Sequence, residues 1–270
     1  MNINKYQKVC LWFVLLVLLF WNVLFLTRTQ SGFFNYLYSF LFGLTPLIGG
    51  IVAIRKSSLW GGWKSSLGKA VLLIGIGIFC WGAGEMIWSY YNFFTGVAAP
   101  YPSLADIGFA PSIFFYGIGV IYLSRVTGAK FGLRNPAARL FVTLMPFVIL
   151  ALSYYLLIVV ARGGVIVPDG ETALKAFLDI VYPLGDFVSV VVAVIISGLS
   201  FRYLGGLYRY DIIALLLGLV MMFIADTIFS YTTTIGTYYN ANFGDLMLTL
   251  GTALLTFGVL GFCTLKNRET

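Results

Sequence analysis

Apolar residues along this chain gather into eight long runs separated by short polar stretches, near 9–26, 33–54, 70–94, 105–124, 139–161, 173–199, 211–232 and 244–264. A helix needs about 20 such residues to cross a hydrocarbon core of roughly 30 Å. The pattern therefore predicts an all-α integral membrane protein with eight transmembrane helices. Pro46, Pro111, Pro146 and Pro183 fall inside runs, which membrane bundles tolerate because neighbouring groups satisfy the freed backbone. Lys5 and Lys8 precede the first run as in a secretory signal, but its apolar stretch is too long and no small-residue cleavage site follows, so it reads as a retained span. The loops are short, which leaves a single polytopic domain over 1–270 and no separate soluble domain.

Composition agrees. Of 270 residues 60% are hydrophobic and 10% charged, whereas soluble domains run near about 45–50% and about 25%. The net charge of +7 gains its meaning from placement. With both termini on the cytoplasmic side, that side receives Lys5, Lys8, Arg55, Lys56, Lys64, Lys69, Arg125, Lys130, Arg134, Arg139, Arg202, Arg209, Lys266 and Arg268, and the other side only Arg28, Arg162 and Lys175. That segregation is the positive-inside rule. It predicts a multi-pass protein of the inner (cytoplasmic) membrane, with both termini cytoplasmic, whose partner is the lipid bilayer and not nucleic acid.

The runs also repeat. At an offset of 141, Glu85-Met86-Ile87-Trp88-Ser89-Tyr90 falls on Asp226-Thr227-Ile228-Phe229-Ser230-Tyr231, and Gly77 falls on Gly218. Further on, Asp106 with Gly119-Val120 matches Asp245 with Gly258-Val259. Spans 3–4 thus resemble spans 7–8. Four spans return the chain to its starting side, so a 4+4 duplication, 1–135 and 136–270, would be a parallel repeat about an axis along the membrane normal.

Acids at membrane depth are rare and face a bundle interior or a wet cavity. Glu85, Asp106, Asp179, Asp186, Asp226 and Asp245 lie in or at the ends of runs, and no Lys or Arg lies deep in a run to neutralise them. Trp81, Glu85, Trp88 and Asn92 share one helix face by their 4-3-4 spacing, as do Met222, Asp226, Phe229 and Thr233. Asp245, Thr249, Thr252 and Thr256 form a polar stripe, and Tyr182 lies between Asp179 and Asp186. The expectation is an outward-facing cavity of carboxylates and aromatics, with Glu85, Trp88, Asp106, Asp179, Tyr182, Asp186, Asp226 and Asp245 as candidate ligand-binding residues. Helix capping is an equal reading for Asp106 and Asp245.

Pro100-Tyr101-Pro102-Ser103-Leu104-Ala105-Asp106, Val181-Tyr182-Pro183-Leu184-Gly185-Asp186, and Ala225-Asp226 followed by Gly236-Thr237-Tyr238 and Asp245 resemble a family of bacterial membrane regions. These are the multi-span sensory regions found ahead of some diguanylate cyclases and phosphodiesterases. The resemblance covers roughly 75–260 and implies a sensory or ligand-binding membrane module. It carries no cyclase activity, because no catalytic domain follows Thr270, so a stand-alone version would signal through a separate cytoplasmic partner.

The absence of histidine removes the commonest general base and metal ligand, and Cys10, Cys80 and Cys263 offer no disulfide framework. No catalytic residue, metal or cofactor is assigned. The primary expectation is a non-enzymatic sensor for a small external ligand or cation. The alternatives are a small cation- or proton-coupled secondary transporter and a carboxylate-dependent lipid hydrolase of the lysoplasmalogenase type. A retinal receptor needs a buried lysine for its Schiff base, and the last two runs contain none.

Overall fold

The computed structural model describes residues 3–126, 136–160, 162–165, 170, 172–200 and 207–265. Lys130, Arg134, Arg202, Lys266 and Arg268 lie outside the described residues, as do the side chains of Arg139, Pro183 and Asp186. Among the described residues the regular structure is entirely helical. The α-helices are α1 (Lys5–Leu26), α2 (Phe33–Lys56), α3 (Ser66–Tyr90), α4 (Asp106–Val126), α5 (Pro136–Tyr154), α6 (Ala173–Ser200), α7 (Arg209–Thr234) and α8 (Phe243–Gly261). Short 3-10 turns follow α2, and π-helical turns extend α3 through Tyr91–Thr95 and α5 through Tyr155–Val160.

Six segments, Lys5–Leu26, Phe33–Trp60, Ser66–Thr95, Asp106–Val126, Arg209–Thr234 and Phe243–Gly261, are long and apolar enough to cross a membrane. Helices α5 and α6 occupy the places of the fifth and sixth apolar runs but are not among these six, so the expected count of eight is met by helices and not, among the described residues, by spans. Large apolar side chains such as Leu16, Leu19, Phe25, Phe114 and Phe147 stand exposed around the outside. A surface of this kind needs lipid to cover it, as in a polytopic membrane protein.

Six helices form a ring in which α2 packs on α3, α3 on α4, α4 on α6, α6 on α7, α7 on α8 and α8 on α2. Helix α1 lies outside against α2 and α8, and α5 lies outside against α6. The position of α1 follows from its pattern. Gln7, Cys10, Val14, Val17, Trp21 and Leu24 are buried at alternating spacings of three and four, while Leu16, Leu19 and Phe25 are exposed. One apolar stripe meets the ring and the rest faces outward.

Both ends of α1 are tied down by polar contacts. Asn4 caps the helix by accepting from Gln7 N at 3.0 Å, and the Gln7 side chain accepts from Asn4 N at 3.2 Å. Asn4 Nδ2 then donates to Leu260 O at 2.8 Å, and Gln7 Nε2 to Asp211 Oδ1 at 2.7 Å. At the opposite, distal end Trp21 Nε1 donates to Ala241 O at 3.0 Å.

The α3–α4 and α7–α8 pairs approach through glycines in matching register. A Cβ on Gly77 would lie 3.0 Å from Ser112 O, and one on Gly218 would lie 3.0 Å from Gly251 O. One turn-set further along, a Cβ on Gly119 would meet Ile74 N at 3.0 Å, and one on Gly258 would meet Leu215 N at 2.8 Å. Adding 141 to the α3 numbers and 139 to the α4 numbers converts one set of contacts into the other. Small residues allow such close backbone approach between membrane helices.

Candidate functional site

A partly open cavity lies inside the ring. Its walls come from α2, α3, α4, α6, α7 and α8 and from the two distal loops that carry Tyr101 and Tyr238. Six of the eight sequence candidates line it: Glu85, Trp88, Asp106, Tyr182, Asp226 and Asp245. Phe42, Trp81, Phe109 and Phe229 complete an aromatic wall.

The acids differ sharply in their partners. Asp106 Oδ2 accepts from Ser103 N at 2.7 Å, which holds the start of α4, and Oδ1 accepts from the Tyr182 hydroxyl at 2.5 Å. Asp245 is built in the same manner. Its Oδ2 accepts from Ala241 N at 2.7 Å, and the Tyr238 hydroxyl reaches its two oxygens at 3.2 and 3.3 Å. Asn242 supplies the cap of α8 by accepting from Asp245 N at 3.0 Å. Neither aspartate is the cap expected of it: each lies inside its helix, where one oxygen accepts from a backbone amide just upstream and the carboxyl also faces the cavity.

Glu85 is different. It is only 5% exposed, it lines the cavity, and among the described residues no donor reaches its carboxyl. Its stem runs over α2, where a Cβ on Gly43 would come within 2.4 Å of Glu85 Cγ. It lies close enough to Asp245 for the two carboxyls to interact electrostatically. Asp226, at the equivalent place on α7, is half-buried on the cavity wall.

Asp179 corrects two expectations. It is fully buried but lies behind the cavity wall, and it is neutralised: Arg162 forms a buried ion pair with it, Lys175 Nζ lies 2.9 Å away, and Tyr101 donates its hydroxyl at 2.7 Å. Cations absent from the span interiors reach the acid from flanking positions, because long basic side chains extend well beyond their own backbone level. Asp186 lies on α6, its side chain outside the described residues. The threonine stripe is corrected too. Thr249 and Thr252 donate back to Asp245 O and Leu248 O of their own helix, both at 2.8 Å. Thr256 lines a separate apolar cleft with Cys10, Ile48 and Leu260.

Ring contacts tie the two distal loops to α7 and α3. Tyr101 meets Phe229 edge-on at 5.1 Å, and Tyr238 meets Trp88 edge-on at 5.9 Å. Trp88 and Phe229 contact each other at 6.0 Å. Burial, reinforced by the Asp179 charge, raises the Tyr101 hydroxyl above its ordinary range; burial, then Asp245 and Glu85, does the same for Tyr238. Both hydroxyls therefore remain protonated donors.

Sequence reasoning placed Tyr101 and Tyr238 in motifs without assigning them to the site, and it missed Asn240 altogether. This buried asparagine accepts from Trp88 Nε1 at 2.9 Å and Ser39 Oγ at 3.0 Å, donates to Ala98 O at 2.6 Å, and receives Asn35 Nδ2 on its backbone carbonyl at 2.7 Å. The available signal was a tyrosine close before each helix-starting aspartate. Nothing in the local sequence distinguishes Asn240 from an ordinary turn residue. Among the described residues no group of acids or cysteines gathers as a metal site. Comparison with protein-family models, curated proteins and solved structures finds no match to this chain.

Proposed function

We propose that the chain is an eight-span protein of the inner membrane, with both termini cytoplasmic and two related halves, that binds a small external ligand in the distal cavity and acts as a sensory or binding module. The observation that carries the reading is convergence. Acids from equivalent places in the two halves, Glu85 with Asp226 and Asp106 with Asp245, line one cavity among aromatic rings. The matched register of the two glycine-mediated helix pairs supports the duplication. So does the ring order, in which α2 meets α8 as α6 meets α4.

A binding module suits these walls better than a hydrolase does. Asp106 and Asp245 are each engaged by a tyrosine hydroxyl and a backbone amide, which fixes them and leaves neither poised to activate water. The sensory role, with a separate cytoplasmic signalling partner, draws on the resemblance of the three motifs to sensory membrane regions. A buried acid without a donor among the described residues, Glu85, also suits transport, and one experiment separates the readings. Protein reconstituted into liposomes with an internal pH dye should give no proton flux above protein-free vesicles, and Glu85→Gln and Asp226→Asn should leave that baseline unchanged. Flux abolished by either substitution would replace the sensory reading with the transporter.

A further inference from the structure

Glu85 is buried on the cavity wall with no donor among the described residues, and three rings of the same wall pack against one another. The cavity holds three kinds of surface. Asp106 and Asp245 have their oxygens engaged by tyrosine hydroxyls and backbone amides. The rings of Trp88, Phe229 and Tyr238 contact one another at 5.1 to 6.0 Å, each pair meeting edge to face. The Glu85 carboxyl stands alone among them, without a hydrogen bond from any described residue.

Each ligand class meets these surfaces differently. An anion faces four carboxyl groups. A hard metal ion needs several oxygens converging at one point, and the oxygens here are divided between backbone amides, hydroxyls and separate helices. A polyol needs alternating donors and acceptors, whereas most of the wall is aromatic. An organic cation needs one counter-charge and several ring faces, the combination found in aromatic cages for quaternary ammonium groups.

We propose that the cavity is a site for a small alkylated ammonium ion, whose charge pairs with Glu85 and whose alkyl groups lie against Trp88, Phe229 and Tyr238. The proposal rests on the ligand-binding reading above and specifies its ligand class. Gly43 is part of the device: the absent Cβ leaves space for the Glu85 stem to cross α2.

The test uses full-length protein in lipid nanodiscs, with thermal unfolding and tryptophan emission as readouts, since Trp81 and Trp88 both line the cavity. The probes are choline and its neutral carbon isostere 3,3-dimethyl-1-butanol, with sodium and magnesium chloride as ionic controls. Choline should shift both signals saturably and bind at least about tenfold more tightly than the isostere. Glu85→Gln should abolish that preference. Phe229→Leu, which keeps apolar bulk and removes a ring, should weaken choline about threefold or more and leave the isostere unchanged, and it serves alone if the Glu85 variant does not fold. Equal, saturable binding of choline and isostere would overturn the ammonium assignment while leaving a ligand cavity in place. A saturable response to sodium or magnesium that Glu85→Gln removes would overturn it in favour of a metal cation. No saturable response to any probe would overturn the assignment and the cavity reading together.

Discussion

Asp179 and Glu85 are both buried acids in a helical bundle, and they solve the same problem in opposite ways. Asp179 is surrounded: a buried arginine, a lysine and a tyrosine hydroxyl converge on it, and Ser230 Oγ donates to its backbone carbonyl at 3.2 Å. Glu85 has no such shell among the described residues and faces open space. A buried charge is tolerated when paired and hydrogen-bonded, so the first arrangement is explained by stability alone. The second is explained only by something outside the chain, either a proton or a ligand. Depth in the membrane does not separate structural acids from functional ones; the company each acid keeps does.

The contrast can be broken most forcefully at Asp179. Asp179→Asn removes the carboxylate from a buried ion pair with Arg162 and should destabilise the protein by about 3 kcal/mol, read as a lowered unfolding midpoint; an unchanged midpoint would mean the cluster is not structural. Alkaline titration probes both regions at once. Because the folded-state hydroxyls of Tyr101 and Tyr238 are raised, their contribution to stability is complete below the ordinary tyrosine value of about 10 and is lost as pH rises beyond it. Unfolding followed by tyrosinate absorbance should therefore show these two titrating only with loss of structure. Tyr238→Phe removes the hydroxyl contact to Asp245 and should cost about 1 kcal/mol, a smaller change in the same thermal assay. Glu85→Gln should have the smallest effect, within about 1 kcal/mol, since no described donor is lost. A large loss there would place Glu85 with Asp179 as a structural acid.

Much of this was readable from the chain before any coordinates. Eight apolar runs became helices at the expected places, because hydrophobic length and helical period are local properties. The stripes on α3 and α7 brought Glu85, Trp88 and Asp226 to one cavity by the same logic. What stayed hidden depends on distance along the chain. Arg162 meets Asp179 across a loop, and Asn240 joins residues more than 140 positions away. A side chain's reach between helices follows from how those helices pack, and no window of sequence contains that. The threonine stripe serves packing and not the cavity: Thr249 and Thr252 turn back on their own backbone, and Thr249 also meets the Tyr38 hydroxyl of α2 at 2.6 Å.

Two seams of the helix ring differ in their polar chemistry. Along one, α8 and its preceding loop are fastened to α1, α2 and α3 through Asn4, Gln7, Trp21, Asn35, Ser39 and Trp88. Along the other, polar ties to α6 among the described residues include the hydroxyls of Tyr101 and Tyr182, with Lys175 resting over the Tyr101 ring at 5.9 Å. The first seam is thus stitched largely by amide and indole groups, and the second carries two phenols whose acceptors, Asp106 and Asp179, are themselves part of, or directly behind, the cavity wall.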